Sequence, residues 1–484
     1  MMILLRSQLK YKTLCAILFL LYFTADNSVL AQSRPKNIVF ILADDLGWSD
    51  LGCYGNTFNE TPAIDSLAAS GVRFTNAYAS APICSPTRAS ILTGKYPATV
   101  NITDFIPGHQ NYSGISDDHM LIGPDFYHEL PQSETTVAER FRENGYITAS
   151  IGKWHLGGKE STPKQHGFDI SIGGNHKGIP PDYFFPYVRE SSGLELEDLN
   201  RNGKKGEYLT DRLTDEALQF IEQNKEKPFM LYLSHYAVHT PMQAKENMIK
   251  KYQKKAASMP DSVFKNPVYA AMLESLDQSV GAVVKKLKKL DLYGNTVLIF
   301  ASDNGGLIGR GDTPSPTTNA PLKSGKAFLF EGGIRVPLII RWPGTTKKGS
   351  ISEQLTSSVD FFPTLLDMAD IDYEPSKIDG IPLTDNLKTG AINDRAVFWH
   401  YPHYHKQGSR PSAAIRKGKW KYIEDYETND AILYNLDEDI GETKDLAGDN
   451  LDILEEMRIL LSGWRAKVHA TMPRVNPVFL DAKK

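Results

Sequence analysis

Four apolar runs, each of which ends in polar or charged residues, constrain the fold of this chain most strongly. They are Asn37–Asp45 (NIVFILADD), Tyr146–His155 (YITASIGKWH), Phe229–His239 (FMLYLSHYAVH) and Thr296–Gly306 (TVLIFASDNGG). Unbroken rather than alternating hydrophobicity is typical of strands that are buried on both faces, as in a parallel sheet. The four runs therefore predict the central strands of one such sheet.

Amphipathic segments with helix-terminal residues lie between these runs. One has Thr61 as N-cap, Pro62 as its first residue and Gly71 after its end, and another has a capping box from Thr136 to Glu139. The alternation predicts an α/β fold, a large mixed, mostly parallel sheet sandwiched by helices, over residues 36–390. Residues 391–484 predict a smaller subdomain of antiparallel strands with a helix near residues 451–468.

The N-terminus resembles a secretory signal peptide over residues 1–31. Arg6, Lys10 and Lys12 precede the short apolar run TLCAILFLLYF, and Val29 and Ala31 occupy the small-residue positions of a cleavage site. An uncleaved anchor is the alternative, but the run is short for a bilayer span. We expect a periplasmic or secreted protein with no stable membrane anchor.

Charge and cysteine usage exclude two classes of protein. A net charge of −4 over 484 residues does not suit a nucleic-acid binder, which needs a basic surface. The lysine clusters KKYQKK and KKLKKL fit solvated helix faces better than a patch for an anionic polymer. After loss of the signal peptide only Cys53 and Cys84 remain, so a disulfide framework is not expected.

Acidic and amide side chains follow two of the apolar runs. Asp44 and Asp45 end the first, and Asp303 and Asn304 end the last. Open α/β sheets bind ligands beyond the carboxyl ends of their strands, so these side chains are expected to converge. Hard oxygen ligands favour Ca²⁺, or alternatively Mg²⁺, over zinc.

Basic residues accompany these oxygen ligands in the other runs and loops. They are Arg88, Lys153, His155, His239 and Lys326. Each alone is more often a surface or structural residue, but together they would surround a metal-bearing pocket with positive charge. A highly anionic group undergoing transfer requires such charge in its transition state.

Cys84 opens the segment CSPTRASILTG. We expect Ser85 to cap a helix with Pro86 as its first residue and Gly94 after its end, which places Cys84 at a helix N-terminus, where anions are stabilised. A small buried thiol and an activated thiolate nucleophile are both possible interpretations. Neither explains Pro86 and Arg88 beside a hard-cation site, because thiolates prefer softer metals.

The motifs CSPTR with ASILTG, ADDLG, GKWHLG, SDNGG and GKAFLFEGGIRVP together resemble those of the formylglycine-dependent (type I) sulfatases of the alkaline-phosphatase-like superfamily. The resemblance implies a sulfuric ester hydrolase in which a maturation enzyme converts Cys84 to formylglycine. The hydrated aldehyde would attack sulfur and then expel sulfate.

The resemblance also implies a role for each site residue. Asp44, Asp45, Asp303, Asn304 and the modified Cys84 would bind Ca²⁺, and Arg88 would support the hydrate. Lys153 and Lys326 would hold the sulfate, with Lys323 as the competing lysine of that loop. His155 would accept the proton of the hydrate, and His239 would protonate the leaving alcohol.

Loops rich in aromatic residues and histidine predict a glycan substrate, with His109, Arg310, His400 and His403 as candidate contacts. A sulfated polysaccharide or oligosaccharide is expected, either algal, such as ulvan or carrageenan, or a glycosaminoglycan. Packing of these loops on the domain is the simpler alternative. Two other functions stay open: a phosphate or phosphonate ester hydrolase of the same superfamily, and an inactive glycan-binding relic.

Overall fold

The computed structural model of the protein describes residues 37–108 and 118–482. The expected signal peptide and His109 lie outside these residues. Within them, no helix combines the length and the apolar character needed to cross a membrane.

The strands of the described chain fall into one large sheet, one small antiparallel sheet and three short pairs. In chain order they are β1 (Asn37–Ala43), β2 (Val72–Phe74), β3 (Ala77–Tyr78), β4 (Leu121–Ile122), β5 (Ile147–Gly152), β6 (Ile170–Ile172), β7 (Val188–Arg189), β8 (Leu194–Glu195), β9 (Phe229–Ser234), β10 (Thr296–Ser302), β11 (Leu338–Arg341), β12 (Ser350–Ser352), β13 (Thr356–Ser357), β14 (Ala396–Tyr401), β15 (Ser412–Lys417), β16 (Trp420–Asp425), β17 (Ala431–Asn435) and β18 (Arg474–Val475).

The helices lie between these strands along the chain. In chain order they are α1 (Pro62–Ser70), α2 (Cys84–Thr93), α3 (Pro97–Val100), α4 (Val137–Glu143), α5 (Glu197–Asn200), α6 (Leu209–Gln223), α7 (Glu246–Ala257), α8 (Pro267–Lys289), α9 (Glu331–Ile334), α10 (Phe361–Ala369), α11 (Thr384–Thr389), α12 (Leu451–Lys467) and α13 (Pro477–Ala482).

The large sheet has the order β12-β2-β11-β10-β1-β9-β5-β6. Strands β10, β1, β9 and β5 are adjacent and parallel, and β11 alone runs against its neighbours. These four central strands are the apolar runs of the sequence. The mixed, mostly parallel α/β fold expected from the sequence is confirmed.

Strand β1 shows why the apolar runs are unbroken. Val39 and Ile41 pack into the core on one face of the sheet, with α6 and α8. Phe40 and Leu42 pack into the core on the other face, with α2 and α10. Because both faces exclude water, each of these side chains stabilises the fold by about 1.5–3 kcal/mol.

The small sheet has the antiparallel order β14-β15-β16-β17. Its outer face carries α12 through Met457, Leu461 and Trp464. Its inner face packs on the large-sheet region, where Trp399 Nε1 donates to Ala79 O at 2.8 Å. This arrangement confirms the predicted smaller C-terminal unit of antiparallel strands and a helix.

Candidate active site

The site lies beyond the carboxyl ends of the four central strands. The strand ends are level, because Ala43 pairs with Ser302, and Ser234 pairs with both Leu42 and Gly152. The residues that follow these ends therefore emerge side by side at one edge of the sheet.

Three carboxylates meet there with Cys84. Candidate ligand atoms of Asp44, Asp45 and Cys84 all lie within 4.8 Å of one another. Asp303 joins them because its Oδ1 accepts a hydrogen bond from the Asp45 backbone N–H at 3.2 Å. All four residues are buried, so their charges interact with little screening by water.

Each carboxylate has its own cation. Lys153 Nζ lies 2.7 Å from Asp44 Oδ2, and Lys326 Nζ lies 2.7 Å from Asp45 Oδ1. The Arg88 guanidinium is 2.7 Å from Asp303 Oδ2. It also donates to Ser234 Oγ at 2.5 Å and to Lys153 O at 3.2 Å. Three carboxyl groups and three basic side chains thus occupy one buried site.

The carboxylates differ in pKa although all are buried. Burial raises the pKa of Asp44 to about 8, and Lys153 only partly opposes it. Burial also disfavours ionised Asp45 and Asp303, but Lys326, His239 and Lys153 together outweigh it at Asp45, so that pKa is lowered. Arg88, Lys153 and Lys326 together lower the pKa of Asp303 in the same way. A further cation among the three carboxylates would favour the charged form of Asp44.

Asn304 contributes an unsatisfied oxygen to this cluster. Its Nδ2 donates to Asp45 Oδ1 at 2.8 Å and to Gly305 O at 2.9 Å. Its buried Oδ1 finds no hydrogen-bond partner among the described residues. An unpaired buried acceptor is costly, and a hard cation is a partner that would satisfy it.

Cys84 is the first residue of α2, and Ile83 is the N-cap. The expectation that Ser85 caps this helix is therefore wrong. The Ser85 hydroxyl instead donates to His155 O at 2.9 Å and accepts from Ile106 N at 3.1 Å. Pro86 still fits in the first turn because its missing N–H has no intrahelical partner there.

The Cys84 thiol is a poor nucleophile where it lies. Only 2% of the residue is exposed, and burial raises its pKa to about 12 in spite of Lys153 and Lys326. The helix N-terminus is thus outweighed by desolvation. The thiol stays protonated at neutral pH, which disfavours the activated-thiolate interpretation.

His155 is held in one tautomer by a backbone carbonyl. Its Nε2 lies 2.9 Å from Ile106 O, which can only accept, so Nε2 carries the hydrogen. Burial lowers its pKa well below the usual value, and Nδ1 has no hydrogen-bond partner in the described structure. His155 is therefore neutral with Nδ1 free to accept a proton.

His239 is held in the opposite tautomer, with its hydrogen on Nδ1. Its Nδ1 donates to Thr240 O at 2.6 Å, and its Nε2 lies 3.5 Å from Asp45 Oδ2. Nε2 is therefore the nitrogen that faces the carboxylate cluster.

His155 at φ +58° and Asp45 at φ +59° both adopt left-handed backbone, a strained state found often at functional sites.

The two lysines of the loop before α9 have different surroundings. Lys326 reaches Asp45 and lies 3.5 Å from Cys84 Sγ. Lys323 instead donates to Tyr434 OH at 3.2 Å and to Glu442 O at 3.0 Å, toward the small sheet. The geometry favours Lys326 over Lys323 as the site lysine.

The substrate candidates are less uniform. Arg310 is exposed and donates to Lys406 O at 2.7 Å. His400 is buried between Tyr426 OH and Thr471 O, and buried His403 bonds Thr103 Oγ1 at 2.8 Å. These contacts give His400 and His403 roles in packing.

Sequence reasoning missed the groups that hold the site residues in place. The Ser234 hydroxyl orients Arg88, the Ile106 carbonyl orients His155, and Asn319 bridges two loops. A backbone carbonyl leaves no signal in a sequence. Ser234 lies in a recognised run, but its partner Arg88 is distant along the chain. Asn319 lies between two recognised motifs, and its bonds to both become apparent only in the folded chain.

The chain matches the family model described as Sulfatase over residues 36–371. A second model, N-sulphoglucosamine sulphohydrolase, C-terminal, matches residues 324–465. N-acetylgalactosamine-6-sulfatase of Sus scrofa is 34% identical over 400 residues, 79% of this chain and 72% of the relative. A sulfatase of Formosa agariphila is 30% identical over 91% of this chain and 90% of the relative.

A solved structure extends the likeness to the fold. The crystal structure of Ps i-CgsB in complex with k-i-k-neocarrahexaose has a TM-score of 0.73 and 31% identity. The match covers 89% of this chain and 93% of that one.

Fold and site together define an α/β enzyme with a buried cluster of carboxyl groups, basic side chains and a cysteine beyond the carboxyl ends of its central strands. The chain belongs to the sulfatase family, and it is a sulfuric ester hydrolase.

Proposed function

We propose that this protein is an exported sulfatase that removes sulfate from a sulfated glycan, with Ca²⁺ and a formylglycine made from Cys84. The observation that carries the proposal is the convergence of three carboxylates and the unpaired Asn304 oxygen on Cys84. Residues 36–390 would form the catalytic domain, residues 391–484 the C-terminal subdomain, and residues 1–31 a signal peptide.

The residues present fit a hard divalent cation. Asp44, Asp45, Asp303 and Asn304 supply oxygens only, and oxygens are the ligands that Ca²⁺ and Mg²⁺ prefer. In the structure lysines and Arg88 neutralise the carboxylates. A cation held by these oxygens would free Lys153 and Lys326 to face an anionic substrate.

Conversion of Cys84 fits the same pocket. A protonated thiol suits neither nucleophilic attack nor a hard cation, whereas an oxygen at this position suits both. When present, the cation would stabilise negative charge, and the aldehyde hydrate would supply an oxygen nucleophile with a second hydroxyl for release of sulfate. A maturation enzyme is the partner that this chemistry requires.

The basic residues would bind and orient the sulfate group. Lys153 and Lys326 approach the cluster from different strands and loops, so together they can neutralise two sides of the anion. Arg88 is fixed by Asp303 and Ser234. It would hold the nucleophile helix α2 against the carboxylates.

The histidines would move protons on opposite sides of the reaction. His155 Nδ1 is a free acceptor close to α2, so it would take a proton from the nucleophile during release of sulfate. His239 Nε2 faces the cluster and carries no hydrogen in the neutral ring, so it would first take up a proton, against the burial that lowers its pKa, and then donate that proton to the leaving alcohol. The backbone carbonyls of Ile106 and Thr240 fix which nitrogen of each ring is available.

A sulfated glycan is proposed as substrate because the similar proteins named above act on or bind such sugars. The pig relative is named for N-acetylgalactosamine 6-sulfate, and Ps i-CgsB was solved with a neocarrahexaose. An algal polysaccharide such as carrageenan or ulvan and a glycosaminoglycan both belong to this class. Arg310 is the remaining exposed candidate for contact with the sugar.

The test is sulfate release from a panel of defined sulfated oligosaccharides, with phosphate monoesters of matched alcohols alongside. The protein is produced with a maturation enzyme and compared with Cys84→Ala and Asp303→Asn. We expect turnover of at least one sulfated sugar and loss of turnover in both variants. Faster turnover of phosphate esters would contradict the proposal, and so would an inactive protein that contains intact formylglycine.

Removal of the cation gives a second expected outcome. A chelator selective for Ca²⁺ should abolish turnover, and added Ca²⁺ should restore it, because four buried oxygen ligands would otherwise lack their cation. Asp303→Asn should bind Ca²⁺ more weakly than the wild type in calorimetry. Unchanged turnover in the chelator would contradict the metal assignment.

A further inference from the structure

The side chain of Asn319 joins the strand end after β10 to the loop that carries Lys326. Its Oδ1 accepts from Gly306 N at 3.0 Å, and its Nδ2 donates to Gly306 O at 2.9 Å. The same Nδ2 donates to Ser324 O at 3.0 Å. Only 2% of Asn319 is exposed, so no water competes for these bonds.

Lys326 shares one acceptor with Asn319. The Lys326 backbone N–H donates to Gly306 O at 3.1 Å, the oxygen that Asn319 also binds. Gly306 follows Asp303 and Asn304 by only a few residues. The amide of Asn319 therefore fixes the lysine loop directly against the strand end that supplies two of the proposed cation ligands.

Three glycines, one in each loop of the site, leave room for this amide. A Cβ at Gly47 would lie 2.6 Å from Asn319 Oδ1, and a Cβ at Gly325 would lie 2.7 Å from Asn319 Nδ2. A Cβ at Gly306 would lie 3.0 Å from Oδ1. Asn319 thus contacts the loops that follow Asp45, Asn304 and Ser324 at the same time.

The segment that carries Asn319 is itself tied to the first strand end. Thr317 Oγ1 donates to Asp50 Oδ1 at 2.5 Å. The other oxygen of buried Asp50 accepts from Gly47 N at 2.7 Å and from Tyr269 OH at 2.5 Å. The segment before the lysine loop therefore spans the ends of β1 and β10.

We propose that Asn319 is a positioning residue that sets the spacing between the cation-binding strand ends and Lys326. The inference rests on the proposed roles of Lys326, Asp303 and Asn304. Asn319 contacts neither substrate nor cation. It acts through its hydrogen bonds to Gly306, which follows Asp303 and Asn304, and to Ser324, which precedes Lys326.

The experiment measures binding of Ca²⁺ alone and of inorganic sulfate by calorimetry, with the matured protein freed of metal by a chelator. Asn319→Ala should weaken both affinities about tenfold or more, the effect typical of losing a residue that supports metal ligands. Asn319→Asp keeps the shape of the side chain but replaces its NH₂ group by an oxygen, which cannot donate to Gly306 O and Ser324 O. It should therefore weaken sulfate binding as well.

Asn386→Ala is the matched control. Asn386 is also buried, accepts from Ser352 Oγ at 2.8 Å and donates to Ala391 O at 2.7 Å, outside the site. It should lower the thermal unfolding temperature but leave both affinities unchanged. Thr317→Val removes one hydrogen bond to Asp50 with little change of shape. It provides a milder variant if Asn319→Ala does not fold, and it should weaken both affinities to a smaller extent.

The outcomes separate this inference from the proposed function. If Asn319→Ala or Thr317→Val lowers stability while Ca²⁺ and sulfate bind as in the Asn386→Ala control, Asn319 is structural only and the inference is wrong. Asp303→Asn and Lys326→Ala test the function itself. If they leave Ca²⁺ and sulfate binding intact, the site assignment fails whatever Asn319 does.

Discussion

At the scale of single residues, the two lysines of one loop show how position decides role. Lys326 lies in the carboxylate cluster, 2.7 Å from Asp45, where its charge would face an anionic substrate. Lys323 lies over the Phe330 ring, 4.3 Å from its centroid, and donates to the small sheet. Although only three residues apart, Lys326 belongs to the carboxylate cluster, whereas Lys323 joins its loop to the small sheet.

The two lysines predict different losses on substitution by alanine. Lys326→Ala should lower kcat/KM by about 10²–10³-fold, because a fixed cation opposite developing negative charge is lost. Lys323→Ala should change kcat/KM by only a few fold and reduce stability by about 1 kcal/mol through lost hydrogen bonds. Steady-state kinetics and denaturant unfolding of both variants provide the measurement, and equal kinetic losses would contradict the assignment.

The sequence predicts residues that follow apolar strands better than residues that hold them. Asp44, Asp303 and Lys153 were found because each ends a strand that is apolar on both faces. Asn319 was not found, because its partners Gly306 and Ser324 are identified only by the folded chain. Ser85 was wrongly expected to be the N-cap of α2. A serine before proline is a typical cap, but the Ser85 hydroxyl donates to His155 O instead.

At the scale of elements, helix α1 is capped by a side chain from another helix. Asp277, in α8, accepts from Ile64 N at 2.8 Å and from Ala63 N at 3.2 Å. The expected N-cap Thr61 makes no capping bond and donates to Asp65 at 3.0 Å. The bounds of α1 were predictable from Thr61, Pro62 and Gly71, but the cap was not, because it lies far along the chain.

Asp277 gives a pH-dependent contribution to stability. Burial raises its pKa from 3.8 to about 6, so between these values the folded protein binds a proton that the unfolded chain releases. The stability contributed by this group therefore falls as pH rises through that window. Relative to Asp277→Asn, which does not titrate, the wild-type free energy of unfolding should fall by about 1–3 kcal/mol from pH about 4 to about 6.5.

Urea unfolding of the wild-type protein and Asp277→Asn at both pH values tests this. Subtraction of the variant cancels the titration of other groups. A difference between the two proteins that is constant or grows with pH would contradict the expected direction.

At the scale of the whole molecule, a buried ion network joins the small sheet to the lysine loop. Lys421 of β16 contacts Glu331 Oε1 at 2.9 Å and Glu442 Oε1 at 2.7 Å, and all three side chains are buried. Glu331 starts α9, just after the Lys326 loop, and also accepts from Tyr78 OH at 2.6 Å. The C-terminal sheet is thus tied through Glu331 to the end of the loop that carries Lys326.

Loss of the Lys421 ammonium group should destabilise the folded protein. Lys421→Met would leave two carboxylates buried together without their shared cation, so it should reduce stability by about 3–5 kcal/mol. Lys419 is exposed in the turn just before β16. The free energy of unfolding of Lys419→Met should therefore stay within about 0.5 kcal/mol of the wild-type value. Thermal or urea unfolding measures both variants, and similar losses would show that the network is not stabilising.

The account depends most on the conversion of Cys84. The direct measurement is the fraction of the Cys84 peptide that carries an aldehyde, found by mass spectrometry, against sulfate released per mole of enzyme. Preparations should differ only in exposure to the maturation enzyme. The account predicts turnover proportional to the aldehyde fraction and passing through zero, whereas undiminished turnover from protein with an intact thiol at residue 84 would contradict it.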